Sequence, residues 1–150
     1  NALGLALAAQ GRYAEAVREY EQAIRISRGY ADVLVNLGRA QAQLRQPDAA
    51  IASFGRALEL KPDDPETHFR LGVALAGQGR LAEAVARFRE VVRLSPRDYK
   101  GYYNLGVALE RQGLWVEAAA QYEEALRVRP DFAPASENLE ECRRRLAVPR

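Results

Sequence analysis

The chain has 150 residues, 48% of them hydrophobic, a length sufficient for one sizeable domain. Its 22 basic and 20 acidic residues leave a net charge of +2 spread evenly along the chain, without the concentrated basic face that nucleic-acid binding calls for. No run approaches the roughly 18 apolar residues of a membrane span, and the lone Cys142 can form no internal disulfide.

The dipeptide Leu-Gly recurs every 34 residues, at Leu3-Gly4, Leu37-Gly38, Leu71-Gly72 and Leu105-Gly106. Other positions keep the register. An alanine follows each glycine (Ala16, Ala50, Ala84, Ala118), then an aromatic (Tyr20, Phe54, Phe88, Tyr122), then Ala23, Ala57, Val91 or Ala125. Pro62, Pro96 and Pro130 close three of the stretches, and Arg28 takes that place in the first. Such a period predicts stacked repeats near 1–30, 31–64, 65–98 and 99–132, each of two amphipathic helices, followed by a ninth helix over about 133–146.

In the first repeat only two residues precede Leu3-Gly4, so the first helix lacks its N-terminal turn; the chain is expected to be a fragment that continues upstream. The second repeat departs at Gln41, where the others carry Leu7, Leu75 and Leu109, and at Pro47, which replaces Tyr13, Leu81 and Trp115. Looser packing is expected at that turn. In the third repeat the apolar spacing predicts helices over Pro65–Gln78 and Leu81–Leu94, broken at Gly79-Arg80. Asp64 and Asp98 stand where N-caps belong. Gly38, Gly72 and Gly106 fall mid-helix, where glycine costs about 1 kcal/mol against alanine; a recurring cost at one register predicts close approach of another helix. The aromatics would fill the space that these small residues open. In the ninth helix Leu-Gly becomes Leu139-Glu140 and Leu109 is matched by Arg143, charge that marks a solvated end cap.

No catalytic constellation is visible. His68, the one histidine, falls in the packing register of Leu34 and Tyr102, and Cys142 reads as an ordinary half-buried thiol. Arg143-Arg144-Arg145 lies among Glu137, Glu140 and Glu141 and reads as a solvated helix end. The expectation is a chain that is not an enzyme, with no metal and no cofactor. One cysteine is compatible with a reducing compartment. The cytoplasm is slightly favoured, with a periplasmic or membrane-associated setting left open.

The pattern resembles the tetratricopeptide repeat family over nearly the whole chain. That resemblance implies an all-α, right-handed superhelical solenoid of antiparallel helix pairs, one array over 1–150, with the first helix of each repeat lining a concave groove. Three registers of those helices then face the groove: Val35, Phe69 and Tyr103; Asn36, Arg70, Asn104 and Asn138; and Arg39, Val73 and Val107. The apolar members are expected to form a ladder. Each asparagine carries a donor and an acceptor together, suited to the paired N–H and C=O of an extended backbone. Asparagine at that register resembles the peptide-holding ladder of glycosyltransferase-linked arrays in the family. The family's carboxylate clamp carries over incompletely: in one frame Asn36 and Arg70 match, in the next only Lys100, so chaperone binding is disfavoured. The expected function is a protein-interaction scaffold holding a peptide or partner segment in the groove. The alternative is the recognition arm of a larger, glycosyltransferase-like enzyme whose catalytic domain lies elsewhere; self-association through the open first helix is a third possibility.

Overall fold

The computed structural model describes residues 1–26 and 31–147, so Arg28 and the boundary between the first two repeats lie outside the described residues. Within them are nine α-helices and no strand: α1 (Ala2–Ala9), α2 (Tyr13–Ile26), α3 (Ala31–Gln43), α4 (Pro47–Leu60), α5 (Pro65–Gly77), α6 (Leu81–Leu94), α7 (Tyr99–Arg111), α8 (Trp115–Val128) and α9 (Ala133–Ala147). The chain divides into two compact units, Asn1–Ala74 and Leu75–Arg150.

In the N-terminal unit α1 packs on α2, α2 on α3 and α3 on α4. Leu7, Ala16, Tyr20, Val33, Leu37 and Ala40 form a buried cluster, with Tyr13, Val17 and Ile24 against it. In the C-terminal unit α6 packs on α7, α7 on α8 and α8 on α9. The buried side of α6 is Ala84, Val85, Phe88 and Val91, a one-sided stripe at helical spacing. Ala16, Ala50, Ala84 and Ala118 are all wholly buried, which is why nothing larger recurs there.

The recurring glycines sit beneath the recurring aromatics. A Cβ built on Gly4, Gly38 or Gly106 would lie 2.5, 2.7 or 2.6 Å from the ring of Tyr20, Phe54 or Tyr122, far inside contact distance. Gly101 plays the same part between α6 and α7, where a Cβ would meet Val91 at 2.8 Å.

Four equivalent turns join the helices of each pair. The backbone N–H groups of Arg12, Gln46, Arg80 and Leu114 donate to the carbonyls of Leu7, Gln41, Leu75 and Leu109, each at 3.0 Å. This six-to-one bond closes a helix only if the preceding residue is left-handed. Gly11, Gly79 and Gly113 supply φ of 75°, 74° and 79°; in the second repeat Arg45 is held at 55° without glycine's freedom. The turn before Pro47 therefore closes like the others, and no loosening appears in its bonding. Gln41 is equally well accommodated: it is buried, and its Oε1 accepts a 2.7 Å hydrogen bond from Ser53 Oγ. Asp98 caps α7 by accepting from Lys100 N at 3.0 Å, and Asp64 accepts from Thr67 N at 3.1 Å and from the Thr67 hydroxyl.

Candidate functional site

The N-terminal unit contains a cavity of about 510 Å³ bounded by side chains from α1 to α5. Leu5, Tyr13, Phe69 and Val73 contribute apolar wall, and Val73 is among the chain's exposed large hydrophobic residues. The polar lining comes from Tyr20, Asn36, Arg39, Gln43 and Arg70. Both charged residues are arginines, and no carboxylate lines the cavity among the described residues. Arg70 pairs with Glu66 through one terminal nitrogen, while its Nε is buried without a hydrogen-bond partner. Arg39 is exposed and forms no ion pair or hydrogen bond with the described residues, and the side-chain amide of Asn36 forms none either.

Five of the residues singled out in the sequence thus meet at one cavity: Asn36, Arg39, Phe69, Arg70 and Val73. Val35 is half-buried on α3 and does not line it. The rest lie in the C-terminal unit. Lys100 is exposed in the first turn of α7, and Val107 is half-buried. Tyr103 belongs to an aromatic cluster, edge-on to Phe132 at 5.1 Å and tilted against Tyr122 at 5.9 Å. Phe132 in turn meets Tyr99 at 4.8 Å, and Arg129 stacks over Tyr99 while donating to its hydroxyl at 2.7 Å. The asparagines differ in what they have left to offer. Asn104 Nδ2 donates to the Lys100 carbonyl at 2.8 Å, tying it to its own helix, and Asn138 Nδ2 donates to the Tyr122 hydroxyl at 3.1 Å. Of the three, Asn36 alone has no side-chain hydrogen bond among the described residues.

Two residues of the lining were missed from sequence: Tyr20, which read as a packing aromatic, and Ala8, which no pattern singled out. Tyr122 and Tyr20 share a register, yet their hydroxyls have opposite fates. Tyr122 donates to Glu110 Oε2 at 2.5 Å and accepts from Asn138. Burial, then the bond to the Glu110 carboxylate, pushes its ionisation far above the usual phenol range. Tyr20 is also a buried residue, but it lines the cavity, and its hydroxyl has no hydrogen-bond partner among the described residues. Burial pushes its ionisation up, and the nearby positive charge of Arg39 pulls the other way. The missing partner is readable after the fact: the register of Glu110 holds Ala8 in the first repeat.

The groups that could suggest chemistry are occupied structurally. His68 is buried, and its Nε2 donates to the Pro62 carbonyl at 2.8 Å, fastening the turn before α5. Cys142 is wholly buried rather than half-buried, since α9 packs this face on α8, and burial pushes its thiol up. Each arginine of the C-terminal cluster meets a glutamate, Arg143 with Glu123 at 3.0 Å and Arg144 and Arg145 with Glu141 at 2.8 and 2.7 Å. No group of three potential metal ligands occurs among the described residues, and none of their helices is long and apolar enough to cross a membrane.

Family models described as tetratricopeptide repeat and TPR repeat match residues 35–98 and 69–137, and residues 4–44, respectively. The search of curated proteins finds no match. Similar solved structures include YrrB, described as a TPR protein with an unusual peptide-binding site (29% identity, 91% of this chain and 71% of that one, TM-score 0.84). MamA from Desulfovibrio magneticus RS-1 is similar at 22% identity over 96% of this chain and 81% of its own, with TM-score 0.90. The first TPR of Spaghetti, solved with an HSP90 peptide, is similar at 24% identity over 79% of this chain and 94% of its own, with TM-score 0.75.

Proposed function

The chain belongs to the tetratricopeptide repeat family, and from that premise we propose that it is a protein-interaction module, not an enzyme, whose N-terminal cavity holds an extended segment of a protein partner. The observation that carries this reading is the lining itself. Asn36 and Arg39 present donors that no described neighbour uses, next to apolar wall from Leu5, Phe69 and Val73. An amide beside apolar surface is what an extended backbone with alternating side chains requires: the amide answers the backbone, the wall takes the side chains. The peptide-binding site ascribed to YrrB supports the same reading.

The test is calorimetric titration with segments recovered by affinity capture on the protein. Phe69→Ala should weaken binding roughly thirtyfold, as anchor truncations of about 2 kcal/mol do. Asn36→Ala should cost about 1 kcal/mol, the worth of a backbone hydrogen bond. Arg56→Ala, exposed on α4 and away from the cavity, should change nothing. Equal losses at Arg56 and Phe69, or none at either cavity position, would remove the cavity from the interaction.

A further inference from the structure

Resting on the reading that this cavity holds a partner segment, we infer that it contains a subsite for one acidic side chain, in which Tyr20, Asn36 and Arg39 receive the carboxylate of a partner glutamate. The chain carries its own precedent. In the C-terminal unit a buried tyrosine hydroxyl lies between a glutamate from the first helix of its own pair and an asparagine from the following helix, Glu110 and Asn138 around Tyr122. In the N-terminal unit the same three registers read Ala8, Tyr20 and Asn36. Tyrosine and asparagine are kept, and the carboxylate is gone.

What replaces it is open space and positive charge. Ala8, Tyr20 and Asn36 all line the 510 Å³ cavity, and so does Arg39, three residues beyond Asn36 on the same helix. The corresponding position after Asn138 is Glu141, which pairs with Arg144 and Arg145. Only the first and fourth repeats carry tyrosine in this register; the second and third have Phe54 and Phe88, which need no partner. Of the two tyrosines, the one without an internal carboxylate is the one beside an uncommitted guanidinium. A hydroxyl and an amide that line the cavity without partners among the described residues are free to bond a ligand, and a guanidinium adds charge-assisted binding that a neutral amide cannot match. The occupant is a side chain, not a chain terminus, because Glu110 reaches Tyr122 on a two-methylene stem and the space over Ala8 is room for such a stem. Leu5, Phe69 and Val73 then flank it with apolar wall, so the favoured partner carries glutamate among aliphatic or aromatic residues.

The experiment pans a phage-displayed library of random twelve-residue segments on the full chain and titrates the recovered segments as fluorescein-labelled peptides. Glutamate flanked by apolar residues should be enriched. Replacing it by glutamine should weaken binding tenfold or more, and by less as salt is raised. Amidating the peptide's C-terminus should leave affinity unchanged. Arg39→Gln and Tyr20→Phe should each shrink the preference for glutamate over glutamine; the phenylalanines at Phe54 and Phe88 show that the register accepts that ring. Ala8→Glu should restore the internal carboxylate, abolish that preference and leave the melting temperature at least as high. Should that variant fail to fold, the exposed Arg39→Gln carries the decision alone. Recovered peptides that bind equally with glutamine, or that lose binding on amidation, would overturn the side-chain subsite while leaving the cavity's general role intact. Panning that enriches no segment at all would bring down both.

Discussion

Replacing Gly106 by alanine tests the packing logic of the repeat most directly. Alanine in a helix interior is favoured over glycine by about 1 kcal/mol, so a glycine with empty space around it gains from the change. Gly55, inside α4 with nothing within 4 Å of where an alanine methyl would stand, is such a glycine. Gly106 is not. Its Cβ would fall 2.6 Å from Cε1 and 2.8 Å from Cδ1 of Tyr122, where contact requires roughly 3.5–4.0 Å. The ring cannot swing aside, because its hydroxyl is held by Glu110 and Asn138 and the residue is wholly buried. Overpacking of this kind costs about 2–3 kcal/mol, which outweighs the propensity gain and leaves a net loss of about 1–2 kcal/mol. In circular dichroism melts, Gly106→Ala should lower Tm by about 3–6 °C and Gly55→Ala raise it by about 2–4 °C. In a Tyr122→Leu background the overpacking should disappear and the propensity gain remain, giving a coupling of about 2–3 kcal/mol in the double-mutant cycle. A Gly106→Ala protein stabilised as much as Gly55→Ala would refute the close-approach argument.

Arg45→Gly should stabilise the second turn by about 0.5–1 kcal/mol, since a left-handed non-glycine residue costs about 1–2 kcal/mol and glycine's entropy returns part of it; urea denaturation reads this, and a destabilised variant would contradict it. Tyr122 ionises far above its usual value of 10.0 when folded, so its contribution is fully present below pH 10 and is lost as pH rises toward the folded value. Stability should accordingly fall above pH 10, and Tyr122→Phe should flatten that fall while costing about 1–3 kcal/mol at neutral pH through the partners it strands; parallel slopes in the two proteins would count against the assignment. Deleting α9 removes Asn138 from Tyr122 and uncovers the α8 face that Ala135, Leu139 and Cys142 bury. The truncated chain should melt lower and self-associate in light scattering, and an unchanged monomer would show that α9 is dispensable.

How far the sequence could be read depends on whether a position answers to one constraint or two. Leu-Gly, the alanine and the ring of the aromatic each answer to helix packing, and packing repeats every 34 residues, so the helices of the third repeat fall within a residue of their expected ends. Gln41 looked like a defect because its register is apolar elsewhere; its partner Ser53 stands on the other helix of the pair, where the neighbouring repeats carry Glu19, Arg87 and Gln121, and no periodicity links the two. The asparagines follow the same principle. Asn36, Asn104 and Asn138 are identical in register, but one bonds its own helix, one bonds a tyrosine and one has no partner among the described residues, because the residues around them differ between repeats. A repeat protein holds its fold in what the repeats share and its specificity in where they differ. The informative comparison for binding is therefore between repeats at one register, and Ala8 against Glu110 is the sharpest such difference at the cavity: a carboxylate that one tyrosine finds within the chain and that a partner would supply to the other.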